Sequence, residues 1–470
     1  MTQTCLESEF IYNESQLILV CGDYMRRILL SEQEIQIAAE QYGTPLYLYN
    51  LDKIGLQYTK LQQHLPSNFR IFYALKANSS LSICQKLAQL ACGADISSVG
   101  EFTAALKAGF RADQLVFTGP GKTNAELAAS LEAGIGLIAL ESVNEAQRLN
   151  DLAGRYSKKQ NVLVRINPSY RTDQSCEVQQ QRGNFGSSKG QGGESSTLVQ
   201  TLGSSASKFG IDQASATEGI ATIDSLPNLS LKGIHIFTES NVLNYRQLLA
   251  SWSNTINIAN RLNDKGYPIS MLDFGGGIGI PFNPVDDEFD IESFGQELQP
   301  LFGNNRYPYQ CIVEIGRYLV GESGCYITEV VDIKQSQGQK FIILDGGVHQ
   351  LLRLSMKSAN KYMEVLGRNG NNTQKATLAG KLPAPLDILV EDVSVPEDIA
   401  IGDRLVIYNC GSYGFNYSLT NFALHNYPAE VAYEDGIMGI IRAKGNVEDF
   451  FINQNLGFVT KTGASATAVF

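Results

Sequence analysis

Between residues 71 and 316 the chain repeats one pattern, a short apolar segment followed by a longer amphipathic one. The apolar segments are Ile71–Leu75, Gly93–Ser97, Leu115–Gly119, Gly136–Leu140, Val162–Ile166, Gly233–Phe237, Met271–Gly276 and Cys311–Gly316. Runs of this length fit strands buried on both faces, as in a parallel sheet. The first four recur about every 22 residues, the repeat of a strand–helix unit. Helix starts fall between them. Ser98-x-x-Glu101 and Ser142-x-x-Glu145 have capping-box spacing, and Gly109 and Gly134 are helix stops. Eight such units predict an α/β fold, a (β/α)8 TIM-like barrel. Periodicity alone leaves an open doubly wound sheet as the alternative.

After Glu322 the pattern shortens to turn-punctuated strands: Tyr326–Ile333, Lys340–Leu344, Leu386–Val393, Asp403–Tyr408 and Ile437–Arg442. These predict a second, all-β domain. Ser31-x-x-Glu34 opens a helix that leads into the barrel. The Ser-, Gly- and Gln-rich stretch Ser169–Ser207 cannot build a core and reads either as a mobile excursion at the catalytic face or as a tolerated surface insertion. The small residues of Gly463–Phe470 predict a frayed tail.

Composition narrows the function. A chain of 470 residues can bury two or three cores, and 43% hydrophobic with 18% charged residues is an ordinary globular balance. A net charge of −11 argues against nucleic-acid or anionic-membrane partners. No apolar run reaches spanning length, and Met1–Phe10 carries acids without the hydrophobic core of a signal peptide. Eight cysteines lie scattered without a CxxC pair, as reduced thiols of a cytoplasmic protein would. Neither a disulfide frame nor a metal centre is expected.

Polar residues collect at the C-terminal ends of the predicted strands, where barrel enzymes keep their chemistry: Lys76, Asp95, Arg165, Phe237, Gly275-Gly276-Gly277 and Glu314. This placement favours the barrel over the open sheet. Lys76 at the mouth of a buried strand loses hydration, which favours a neutral amine able to form a Schiff base. A lysine that merely snorkels from a strand end is commoner. The glycine run lets backbone N–H groups approach a phosphate, although alone it is only a turn signal.

In this order and at these separations, Lys76, Asp95, Arg165, the glycine run, Glu314-Ile315-Gly316-Arg317 and Gly411-Ser412-Tyr413-Gly414 resemble the pyridoxal-phosphate enzymes of the alanine racemase and ornithine/diaminopimelate decarboxylase fold. The resemblance runs from about Thr44 to Glu430. It implies pyridoxal 5'-phosphate as cofactor, with Lys76 on its aldehyde. Gly275, Gly276, Gly277, Ser240, Arg317 and Tyr413 would hold its phosphate. Phe237 replaces a family histidine and stacks on the ring. Asp95 positions Lys76 or the cofactor, Arg165 lies near the phenolic oxygen, and Glu314 keeps the ring nitrogen protonated. Racemases of this fold place an arginine there, so Glu314 favours decarboxylation. Its plain alternative is a salt bridge to Arg317. The resemblance also assigns residues 44–320 to the barrel, residues 1–43 and 321–470 to the β domain, and active sites shared across a homodimer.

Two departures matter. The family's decarboxylases carry Gly-Pro-Leu/Thr-Cys before an aspartate, and that cysteine returns a proton after carbon dioxide leaves. Here Gly380-Lys381-Leu382-Pro383-Ala384-Pro385-Leu386-Asp387 puts a proline in its place. Proline cannot donate, which leaves His349, Tyr413 or Lys76 for that step. Glu239 occupies a position where the family has glycine, and a carboxylate beside a phosphate is repulsive. Arg353 and Asp387 are the substrate-side candidates, with Lys357 a further cation for a distal carboxylate or phosphate. The expected function is α-decarboxylation of an amino acid or its derivative, small or delivered on a carrier protein. Diaminopimelate decarboxylation, weakened by Ala384, is one alternative; a non-catalytic or altered-outcome cofactor-binding protein is the other.

Overall fold

The computed structural model describes residues 28–169, 207–303, 305–352, 362–368 and 372–454. Strand β1 (Leu46–Asn50) precedes eight parallel barrel strands: β2 (Phe69–Ala74), β3 (Gly93–Ile96), β4 (Leu115–Phe117), β5 (Leu137–Leu140), β6 (Gln160–Asn167), β8 (Leu229–His235), β9 (Met271–Asp273) and β10 (Gln310–Ile315). A two-residue strand, β7 (Ile211–Asp212), hangs off β6. The β5–β6 and β10–β2 pairings close the ring and exclude the open sheet.

Helix ends follow the local chemistry. Helix α1 (Glu32–Tyr42) begins with a reciprocal Ser31/Glu34 capping box, and α2 (Leu51–His64) is capped by the Asn50 side chain. Helix α3 (Leu81–Gln89) follows β2, and α4 (Val99–Ala108) starts where Ser98 accepts the Glu101 N–H. The Glu101 carboxylate reaches one residue further back, to the Ser97 N–H at 2.7 Å. Glu145, at the start of α6 (Val143–Arg155), does the same to Glu141. Helix α5 (Asn124–Ala133) carries a complete Thr123/Glu126 box absent from the sequence reading. Gly109 and Gly134 end their helices at φ 100° and 78°, where a side chain would be strained.

The second domain is a nine-stranded sheet built on β11 (Gly324–Ser336), β12 (Gln339–Leu344), β13 (Met363–Val365), β14 (Thr373–Ala379), β15 (Ile388–Pro396), β16 (Arg404–Ile407), β17 (Ala429–Glu434) and β18 (Ile437–Arg442). Its order is β15-β14-β12-β11-β1-β17-β18, with β16 joined to β11 and β13. Strand β1 therefore belongs to this sheet, antiparallel to β11 and parallel to β17. The expected start of the barrel at residue 44 is corrected accordingly: barrel structure begins with α2. Ile28, Leu30 and the inner face of α1 pack with Leu46, Leu48, Ile327, Val406 and Val431 in one buried cluster. A larger core joins barrel to sheet through Tyr47, Tyr49 and Tyr326, with Tyr47 and Tyr326 ring centroids 4.9 Å apart. Among the described residues no helix is long and apolar enough to cross a membrane. Most of Ser169–Ser207, together with Arg353, Lys357 and Gly463–Phe470, lies outside the described residues.

Candidate active site

At the C-terminal end of the barrel Lys76, Phe237, Ser240, Gly276, Gly277, Glu314, Arg317 and Tyr413 line one cleft. A single 3-10 turn after β2, Leu75–Ala77, presents Lys76. Its ammonium bonds to Asp95 Oδ2, and the other oxygen of Asp95 accepts from Thr118 Oγ1 at 2.6 Å. Burial alone would lower the Lys76 pKa, but Asp95, Glu314 and Tyr413 more than reverse this and raise it above that of a free lysine. The expectation of a neutral amine is overturned: without cofactor, Lys76 is a paired cation.

Glu314, next to last in β10, has its carboxyl at the cleft. Burial, then the Asp273 and Asp95 carboxylates, push its pKa well up. Its nearest basic group is His235 Nε2, 3.7 Å from Oε2. The alternative salt bridge to Arg317 does not form among the described residues. Arg317 instead lies against aromatic faces, its guanidinium carbon 4.8 Å from the Tyr413 ring centre and 5.6 Å from that of Phe282. Its Nη1 is buried with no hydrogen-bond partner, and burial lowers its pKa. A buried guanidinium with an unpartnered nitrogen suits an oxyanion.

Backbone packing shapes the opposite wall. A Cβ on Gly276 would stand 2.6 Å from the Glu314 carbonyl oxygen, and Gly277 has φ +119°. Gly275 does not share the wall: its N–H donates to Asp273 Oδ1 at 2.9 Å and its carbonyl accepts from Glu314 N–H. Arg317, the side-chain-free wall and Ser240 fit a phosphate. The Glu314 carboxyl, with Oε1 unpartnered, fits a ring nitrogen. The residues present thus fit pyridoxal phosphate.

Several candidates lie elsewhere. Arg165 does not reach the cleft: it pairs with Glu141 at 2.9 Å and packs over Phe209 at 4.4 Å. Asp387, buried, accepts the Val348 and Leu382 N–H groups at 2.7 Å each, a clamp between two loops of the β domain. It does not line this chain's own cleft. His349 is buried beside His425, ring centroids 5.1 Å apart, and desolvation followed by His425 and Lys381 lowers its pKa to about 4. It is neutral and outside the cleft, so it is not placed to return a proton there. Glu239 turns to Gln247, accepting at 2.7 Å, and Cys410 donates to the Tyr408 carbonyl. Sequence reasoning missed Thr118, Asn241 and Asp273. Thr118 and Asp273 sit at the same strand ends as the residues it found, which was the available signal. Asn241, at φ +58° in the cleft wall, gave none.

The model of the pyridoxal-dependent decarboxylase family, pyridoxal binding domain, matches residues 51–321. The chain belongs to this family. Over 450 residues, 92% of this chain and 100% of the other, it is 30% identical to the L-glutamyl-[BtrI acyl-carrier protein] decarboxylase of Niallia circulans. It is 29% identical to the diaminopimelate decarboxylase of Aquifex aeolicus, covering 89% of this chain and 93% of that one. The crystal structure of diaminopimelate decarboxylase from Helicobacter pylori complexed with L-lysine superposes with a TM-score of 0.77 at 27% identity, over 89% of this chain and 98% of that chain. The protein is a pyridoxal-phosphate-dependent decarboxylase of the barrel-plus-β-domain type.

Proposed function

We propose that this decarboxylase removes the α-carboxylate of an aminoacyl group presented on a carrier protein, and works as a homodimer. The observation that carries the chemistry is the convergence of an amine, a carboxyl and an orphan guanidinium (Lys76, Glu314, Arg317) on one cleft. The bound cofactor supplies the sink for the electron pair left when carbon dioxide departs. The chain's own residues do the rest. Arg317, Ser240 and the Gly276–Gly277 wall hold the phosphate, and Glu314 meets the ring nitrogen. Asp95, braced by Thr118, orients Lys76 and takes its charge. With Pro383 unable to donate, Lys76 is the acid that returns the proton, and Tyr413 is the hydroxyl beside it at the cleft.

Carrier delivery rests on the end-to-end similarity to the glutamyl-carrier decarboxylase and on Ala384, which stands where diaminopimelate decarboxylases have a glutamate. The dimer rests on Gly380–Asp387: family architecture assigns this segment to the substrate, and it does not line its own chain's cleft. The test is to load the protein with pyridoxal phosphate and offer aminoacyl-carrier thioesters, glutamyl first, beside free amino acids including diaminopimelate. Carbon dioxide is expected from the carrier-bound substrate in preference, and the visible absorbance of the loaded protein should vanish in Lys76→Ala. Faster release from free diaminopimelate overturns carrier delivery. Silence across the whole panel overturns the reaction.

A further inference from the structure

Three cations at the barrel mouth each already have a carboxylate. Lys76 is paired with Asp95, Arg165 with Glu141 at 2.9 Å, and Lys122 with Glu145 at 2.8 Å. Asp273 and Glu314, 0% and 6% exposed, have no such cation. With His235 they form a cluster in which one nitrogen or oxygen of each side chain lies within 4.8 Å of the others. His235 offers them no charge: burial, followed by Arg165, Lys76 and Lys122, holds its imidazole neutral. Arg317 makes no ion pair with either acid among the described residues.

Two carboxylates this close and this dry, without a cation of their own, cannot both ionise. One of them keeps a proton. Glu314 opens to the cleft, where the reading above places the protonated ring nitrogen, and that neighbour favours its anion. Asp273 lies behind it, with Oδ1 accepting from the Gly275 N–H and Oδ2 without a hydrogen-bond partner. Glu314 Oε1 also lacks one. The two side chains lie close enough to share a single proton. We propose that Asp273 is a positioning residue, held as a neutral carboxylic acid that donates its proton in a hydrogen bond to Glu314 and fixes that carboxylate against the cofactor nitrogen. Burial raises its pKa to about 7 and Asp95 adds to the rise, while the Gly275 and Glu314 hydrogen bonds and the Lys76 charge oppose it. The arrangement leaves Glu314 as the one member of the pair whose charge changes when cofactor enters. The inference rests on the decarboxylase reading for Glu314's place at the ring nitrogen.

The test separates a neutral donor from an anion. Asp273→Asn retains an acceptor for Gly275 and a donor for Glu314, whereas Asp273→Leu keeps the shape and loses both. Pyridoxal phosphate affinity, measured by fluorescence titration, is expected to fall about tenfold in Asp273→Leu, the effect of one hydrogen bond to a charged group, and to be restored in Asp273→Asn. The visible absorbance of the loaded protein should show the same order, its pH midpoint displaced in Asp273→Leu and returned in Asp273→Asn. If Asp273→Asn is as impaired as Asp273→Leu, Asp273 works as an anion and the proposal is overturned. A second measurement needs no folded variant. Cofactor-free wild-type protein at about pH 6, isotope-labelled in its aspartates, should show an aspartic acid C=O infrared band. Absence of such a band also overturns the proposal. A protein that never takes up the cofactor sinks the parent reading, and the infrared result still decides the state of Asp273.

Discussion

A buried guanidinium with an unpartnered nitrogen is costly until an anion meets it, so Arg317 should act in opposite directions before and after cofactor enters. Arg317→Met is expected to raise the thermal midpoint of the cofactor-free protein and to weaken pyridoxal phosphate binding by about 2 kcal/mol, roughly thirtyfold, in calorimetric titration. Lys76 makes a second prediction. The cofactor needs a neutral amine and Asp95 holds it charged, so the loading rate should climb with pH, about tenfold per unit at first. In Asp95→Asn the same rise, followed by stopped-flow absorbance, should move to lower pH. Glu314 makes a third. Its folded-state pKa lies above its unfolded value, so the native protein retains a proton that the unfolded chain releases, and stability is lost as pH rises. Glu314→Gln, which never ionises, should gain on the wild type as pH rises above the unfolded carboxyl range, by of the order of 1 kcal/mol per pH unit, in denaturant melts of the cofactor-free protein. The identities of Lys76, Glu314 and Arg317 were legible because strand ends are marked by where apolar runs stop. Their protonation states were not. Those depend on Asp95 and Asp273, which only the closed barrel brings beside them.

At the scale of elements, the cleft is an outcome of backbone packing as much as of side chains. Gly276 sits where the turn after β9 presses on β10. Gly276→Ala must move the Glu314 carbonyl or its own loop, and loss of cofactor retention on gel filtration is expected while the far-ultraviolet circular dichroism stays that of a barrel. The barrel strands were readable because each is a near-continuous apolar run between capped helices. Strand β1 was not. Leu46-Tyr47-Leu48-Tyr49-Asn50 runs straight into α2, with no turn signal between, and its partners lie at residues 324–327 and 429–433. Only the long-range pairing shows that a segment next to the barrel in sequence belongs to the other sheet. Strands β13, β14 and β17 escaped for a related reason: β13 is three residues long, and β14 opens with the polar Thr373-Gln374-Lys375.

For the whole molecule, the placement of Pro383 and Asp387 decides what a second copy must bring. If Gly380–Asp387 serves a neighbouring cleft, mixing inactive Lys76→Ala protein with a variant disabled in that segment should recover up to about a quarter of wild-type carbon dioxide release, because one mixed site in each heterodimer is intact. No recovery, from proteins that sediment as dimers, would place each site within one chain. Pro383→Cys tests the same geometry chemically and is expected to raise turnover only if the partner's segment reaches the reacting carbon.

The parallel pairing of Leu46 with Ala429 also sets a timetable for biosynthesis. The strand that founds the second sheet leaves the ribosome early, and the neighbour that covers its edge is among the last to emerge. Until then its amides have no sheet to join on that side, and a nascent chain stalled before Glu434 would offer a sticky ribbon to any other unfinished copy.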